Sequence, residues 1–243
     1  MSGFPIPAGW ARYHPHVTAS HSAAHLAEQL ALIPFFSLLD TALIQELAEA
    51  AAYRTFATGE VVFLEGEPSP GLLLIESGRM KVVKSSAQGR EHILQILAPW
   101  EPANAVAVFT ARPNPATAIA LEPVQAWLLP RSAVTRLLRK HPGFAERVIE
   151  NMANHMVRLT EIVADLSLRS VIERLARLLL DEAVEDRVER PRWYTQPELA
   201  ARLGTVPDVA QRALGRLAAD GLVEVSRREI RLKDRAALER LLA

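Results

Sequence analysis

The chain contains no cysteine. Disulfides, thiolate nucleophiles, cysteinyl zinc sites and ordinary iron–sulfur clusters are therefore excluded. It has no excess charge of either sign, because 28 Lys and Arg are balanced by 28 Asp and Glu. No global field marks a nucleic-acid or membrane partner, and any basic surface must be local. Long hydrophobic runs are missing too. None approaches the ~20 residues of a bilayer crossing, and the opening MSGFPIPAGWARYHPHV lacks the apolar core of a signal peptide. The expectation is a cytoplasmic protein without membrane contact. No Ser/His/Asp set, paired-carboxylate motif or phosphate-cradling glycine loop stands out, so an enzyme is not expected.

What is present is enough for a large core. The chain has 243 residues, 49% of them hydrophobic and 23% charged. Residues 1–26 carry Pro, Gly, Ser and four of the seven histidines, and read as a tail. From Ala27 to Ala52 the apolar spacing is helical, with a break at Pro34. From Tyr53 to Leu129 short runs rich in Val, Ile, Leu and Phe alternate with Gly59, Gly66, Gly71, Gly78 and Gly89. Turns this frequent predict a compact all-β barrel, sandwich or roll. These two stretches are taken together as one domain over residues 27–141.

After the break at Pro130, SAVTRLLRK is a short helix, and Pro142-Gly143 opens a longer one. Over residues 142–168, Ile149, Met152, Met156, Leu159, Val163 and Leu166 alternate in steps of three and four. That is the a/d seam of a coiled coil and predicts a homodimer. Glu150, Asn151, Arg158, Glu161 and Asp165 supply the polar side. A hinge near Leu166–Ser170 leads to the last region, residues 169–243, in which VIERLARLLLDEAVED is amphipathic.

The segment that carries chemistry reads helix, turn, helix, hairpin. Thr195 and Glu198 have the spacing of a capping box. Leu199, Ala200 and Leu203 form an inner face, and Gly204 suits the position after the helix. Thr205 is expected to cap the next helix, with Pro207 in its first turn. On that helix Val209, Ala213, Leu214 and Leu217 point inward. Asp208, Gln211, Arg212 and Gly215 form an outward stripe at i, i+3, i+4 and i+7, with Arg216 beside it. Arginine pairs with guanine O6 and N7, glutamine with adenine, and a carboxylate accepts from cytosine N4, so this helix is a candidate reader of the major groove. Strands Leu222–Val225 and Glu229–Leu232 form a wing whose tip, Arg227 and Arg228, is placed for phosphate.

Taken together, GEVVFLEGEPSPGLLLIESGRMKVV, QGREHILQIL, ELAARLGTVPDVAQRALGRLAADGLVEV and EIRLKD resemble the family of the cyclic-AMP receptor protein and the fumarate–nitrate reduction regulator (CRP/FNR). The resemblance runs from about residue 30 to the C-terminus. It implies an α+β protein with an N-terminal double-stranded β-helix (a jelly-roll-like β-roll), a long dimerisation helix and a C-terminal winged helix-turn-helix. It also implies a homodimeric transcription regulator on a palindromic double-stranded DNA operator, with RNA polymerase as a further partner. Asp208, Gln211 and Arg212 fall at the family's base-reading positions, where many members carry Glu in place of Asp208.

The effector position departs from the cyclic-nucleotide-binding members. Their Gly-Glu pair is replaced here by Asn104-Ala105, and their Arg-Ser pair by Asn114-Pro115. A buried phosphate without a cation is costly to desolvate, so useful cyclic-AMP binding is not expected. The surrounding PWEPANAVAVFTARPNPATA is uncharged between Glu101 and Arg112. This stretch and Leu166-Ser167-Leu168 are similar to the nitric-oxide-responsive, dissimilatory-nitrate-respiration subgroup, some of which bind haem. A haem needs an axial ligand, and the candidates are His14, His16, His21, His25, His92 and His155. No cofactor is assigned from the residues alone.

Overall fold

In the computed structural model, residues 22–242 are described. They divide into two units, one running to Val82 with Gln95–Met156, the other Val83–Leu94 with the residues from Val157 onward.

The first unit opens with helix α1 (Ala23–Leu32), a 3₁₀ turn at Pro34–Phe36 and α2 (Thr41–Ala50). Ser22 and Asp40 cap the two helices through side-chain oxygens that accept from His25 N and Leu43 N. The helical region thus begins at Ala23, four residues before the expected start at Ala27, and Leu26 is fully buried. The pull of the core overrides the polar composition around it. Residues 1–21 lie outside the described residues.

Eight strands follow: β1 (Ala52–Phe56), β2 (Val61–Phe63), β3 (Gly71–Ser77), β4 (Met80–Ser85), β5 (Glu91–Leu97), β6 (Pro102–Ala103), β7 (Thr117–Ala120) and β8 (Val124–Pro130). One sheet has the order β1-β8-β3-β6 and the other β2-β7-β4-β5. Gly59, Gly66, Gly78 and Gly89 sit at turns with positive φ. Gly71 does not. It is the first residue of β3, and a Cβ there would lie 2.0 Å from the Leu129 carbonyl oxygen. It is required by close approach of β8 rather than by turn geometry.

Strand β3 explains its own run of apolar residues. Leu73 and Ile75 face Phe56, Val62, Phe63 and Met80 inside the roll. Leu72 and Leu74 face the other way, onto Leu26, Phe36, Phe144 and Val148. A strand buried on both faces shows no alternation. Within this β region a short helix, α3 (Ala105–Thr110), interrupts the expected all-β pattern. Helix α4 (Arg131–Lys140) precedes the long α5 (Pro142–Leu168). Phe35, Phe36 and Phe144 pack ring against ring, the last two stacked at 5.8 Å.

The second unit contains α6 (Val171–Glu182), β9 (Arg187–Glu189), α7 (Gln196–Arg202), α8 (Pro207–Ala219), β10 (Val223–Val225), β11 (Glu229–Leu232) and α9 (Arg235–Arg240). Its core joins Leu175, Leu179, Leu199, Leu214, Leu217 and Ile230. Ser170 and Glu173 form a reciprocal capping box at the start of α6. That helix stops at Glu182, short of the 16-residue amphipathic run. Glu185 and Asp186 then take positive φ in a turn. No helix among the described residues is long and apolar enough to cross a membrane.

Candidate nucleic-acid interface and sensor stretch

The turn between α7 and α8 is built by backbone bonding. Thr195 Oγ1 accepts from Glu198 N at 3.4 Å and starts α7. Leu203 ends it, and Gly204 follows at φ +62. The left-handed conformation requires glycine; a Cβ there would sit 2.7 Å from Leu166 Cδ2, the end of a side chain that can move aside. Thr205 N donates to Ala200 O at 2.9 Å. Thr205 therefore belongs to the end of α7. The N-cap of α8 is Val206, which makes no side-chain cap bond. This corrects the expected role of Thr205 as cap. Pro207 lowers the need for a cap, because it has no N–H to satisfy.

On α8 the buried residues are Ala210, Ala213, Leu214 and Leu217. Val209 is only half-buried, so Ala210 takes the inward place expected of it. Small side chains here let the helix seat closely on α7. Asp208, Gln211, Arg212, Gly215 and Arg216 are all exposed. Arg216 Nε contacts Asp220 Oδ2 at 2.7 Å, and that carboxylate raises the pKa of the guanidinium. Arg212 borders a cavity of about 310 Å³ with Ser170, Val171, Ile172, Val209 and Ala213.

The wing is a three-stranded sheet of order β10-β11-β9. Val225 pairs with Ile230, and Ile230 with Val188. Strand β9 leaves no mark in the sequence. Its three residues, Arg187–Glu189, have only one inward side chain, Val188, and give no periodic signal. Arg227 and Arg228 lie exposed in the turn between β10 and β11. Ser226 holds that turn, accepting from Arg228 N and Glu229 N and donating to Glu229 O. At the entry to α7, burial pushes the Tyr194 hydroxyl up to about 12. Arg202 stacks over the Tyr194 ring and pairs with Glu182.

Five of the six seam residues on α5 are exposed. Ile149 is 67% exposed, Met156 68% and Val163 62%, with Leu159 and Leu166 lower. Val157, off the seam, is exposed as well. Met152 is different: it packs against the core of the first unit, beside Val148. At the end of α5, Asp165 Oδ1 contacts Arg169 Nε at 3.0 Å and Arg177 Nη1 at 3.1 Å, tying α5 to α6.

The sensor stretch holds Asn104 and Asn114 to one loop from two sides. Asn104 takes φ 71 ahead of α3, and its Nδ2 donates to Ser69 Oγ at 2.8 Å. Asn114 is 2% exposed; its Nδ2 donates to Leu64 O and its N to Glu67 O, each at 2.9 Å. Its carbonyl accepts from Gly66 N. Ala105 is the first residue of α3, and Pro115 is exposed. Of the five non-glycine residues with positive φ among the described residues, three, Trp100, Asn104 and Ala111, cluster here. Such backbone costs ~1–3 kcal/mol per residue, so the rest of the fold must impose it.

The haem-ligand candidates are scattered. His14, His16 and His21 lie outside the described residues. His25 Nε2 sits 3.2 Å from Glu76 Oε1, and His92 Nδ1 is 3.0 Å from Ala201 O. His155 is half-buried on α5. No group of three His, Asp or Glu suited to a metal occurs among the described residues.

Comparison with known proteins matches this architecture. A family model described as the cyclic nucleotide-binding domain covers residues 53–141. A second, the Crp-like helix-turn-helix domain, covers residues 173–241. The chain is 26% identical over 219 residues to a CRP-like cAMP-activated global transcriptional regulator of Mycobacterium tuberculosis, covering 88% of this chain and 98% of the relative. It is 27% identical over 191 residues to a cyclic AMP receptor protein of Thermus thermophilus, covering 77% and 87%. Among solved structures, FixK2 of Bradyrhizobium japonicum superposes with a TM-score of 0.69 at 20% identity, over 79% of this chain and 98% of that one. At that identity the likeness speaks to the fold.

Proposed function

This chain belongs to the CRP/FNR family of regulators, and on that premise we propose that it is a homodimer that reads a palindromic operator through α8 and its wing. The observation that carries this reading is the exposed stripe Asp208, Gln211 and Arg212, held on a seat of buried alanines and leucines. Thr205 and Arg216 flank the stripe, and Arg227 and Arg228 meet backbone phosphate. The exposed face of α5 joins two copies, so two recognition helices are presented together. RNA polymerase is the further partner. Selection of bound duplexes from a random pool tests the reading: a two-fold symmetric consensus supports it, and enrichment of no sequence overturns it.

The sensor domain has, in this reading, lost its cyclic nucleotide. The relative from Mycobacterium tuberculosis is described as cAMP-activated, but Asn104, Ala105, Asn114 and Pro115 offer no cation to a cyclic phosphate. Both asparagines donate through Nδ2 to the Leu64–Ser69 loop, and their Oδ1 atoms are acceptors that cannot neutralise a phosphate. The uncharged stretch and Leu166-Ser167-Leu168 favour a place beside the dissimilatory-nitrate-respiration regulators. An effector acts only if it binds one arrangement of the dimer better than another; without one, abundance sets the output. Calorimetry with cyclic AMP should show no heat of binding, and micromolar affinity would overturn this part.

A further inference from the structure

We propose that the wing turn and the segment entering α7 together form a phosphate-binding pocket, in which Arg190, Arg192, Arg227 and Arg228 take the oxygens of a phosphoryl group. Strand β9 pairs with β11, which carries the residues after Glu189 alongside the wing turn. The result is a cavity of about 450 Å³ lined by these four arginines, Pro191 and Tyr194. No carboxylate lines it. Glu229, the nearest acid along the turn, pairs with Arg231 at 2.8 Å, and Glu182 pairs with Arg202. None of the four arginines has an ion pair among the described residues. Four like charges gathered in one concavity repel each other, and an anion relieves that repulsion.

The pocket is also preorganised. Arg190 N donates to Arg228 O at 2.7 Å, and Arg190 Nη1 donates to Ser226 O at 2.9 Å. Its guanidinium carbon lies 5.9 Å from the Tyr194 ring centroid. Its Nε is buried and has no partner. A guanidinium held this way keeps most of its donors free for a phosphate, which it can bind in a bidentate fork. Pro191 fixes the backbone between Arg190 and Arg192. The phosphate has two chemical sources. One is a DNA backbone phosphodiester, and for that source the proposal rests on the DNA-binding reading above. The other is a free pyrophosphate or triphosphate group.

The experiment uses the full chain with Arg192→Gln and with the double change Arg190→Gln/Arg192→Gln. Arg192 is exposed and makes no side-chain bond among the described residues, so the single variant keeps the fold even if loss of Arg190 loosens the wing. Each protein is titrated with a selected and a random duplex between about 50 and about 200 mM salt, where each phosphate contact adds about 0.9 to the slope of log K against log salt. Inorganic pyrophosphate is titrated separately by calorimetry. If the phosphate belongs to DNA, the slope falls by about 0.9 per lost contact, equally on both duplexes. If it is free, slopes hold and the wild type binds pyrophosphate while the variants do not. Either result supports the pocket. Unchanged slopes together with no pyrophosphate binding overturn it. A wild type that binds no duplex at all overturns the DNA-binding reading instead, and the pyrophosphate titration then decides the pocket alone.

Discussion

Placing a carboxylate in the α5 seam, by Val163→Glu, should split the dimer. Val163 is 62% exposed in the single chain. Full burial of a valine is worth ~1.5–3 kcal/mol, so covering the exposed part contributes about 1–2 kcal/mol per copy. A two-fold interface loses this twice, or about 2–4 kcal/mol per dimer. At ~1.4 kcal/mol per decade that is a weakening of about 30- to 700-fold in the dimer Kd, before the cost of desolvating the new charge. Sedimentation velocity over a concentration series reads it directly. Met152→Ala is the matched control, because Met152 packs on the core of its own unit. It should lower thermal stability and leave association unchanged. A Val163→Glu protein that sediments as the wild type does would refute the seam.

Three further outcomes are expected. Arg212→Ala should cost about 1–3 kcal/mol on the selected operator and relax base preference at one position in each half-site; equal loss on random duplex would show that Arg212 touches only phosphate. Ala111→Gly should raise stability by about 1 kcal/mol, because Ala111 sits at φ 58 after α3; a melting temperature that does not rise by about 2–4 °C contradicts the strain. Ser170→Ala bears on Glu173, whose carboxyl is held below its ordinary value of 4.5 first by the Ser170 backbone N–H and then by the Ser170 side chain. A depressed acid contributes stability that is present above its unfolded pKa and lost as pH falls through the folded one. The change should raise the Glu173 pKa only part of the way, since the backbone donor remains, and should shrink the acid-side loss of stability. NMR titration of Glu173 checks this; an unmoved pKa would contradict the contribution of the hydroxyl.

Several features were readable because their causes are local. The long helix follows from the spacing of Ile149 to Leu166, and the winged helix-turn-helix from Thr195, Gly204 and Pro207. A cap, a helix period or a positive φ depends on a few neighbouring residues, so it leaves a mark in their order. What the order of residues does not carry has the opposite origin. Thr205 has the side chain of a cap but stands one residue too early, because the chain enters α8 at Val206. Met152 keeps its place in the seam spacing, and its packing on the core of its own unit is an addition that the spacing does not carry.

The sequence alone determined the absence of thiol chemistry, the run of turns that makes a β-roll, the face of α5 and the outward stripe on α8. Tertiary structure decided what is built between distant segments. Asn114 became a brace for residues 64–67, and β9 joined the wing only by pairing with β11. Arg190 and Arg192 met Arg227 and Arg228 across 35 or more residues of chain. Such partners are brought together by packing and strand pairing, whose geometry depends on the whole fold, and no short window of sequence records them.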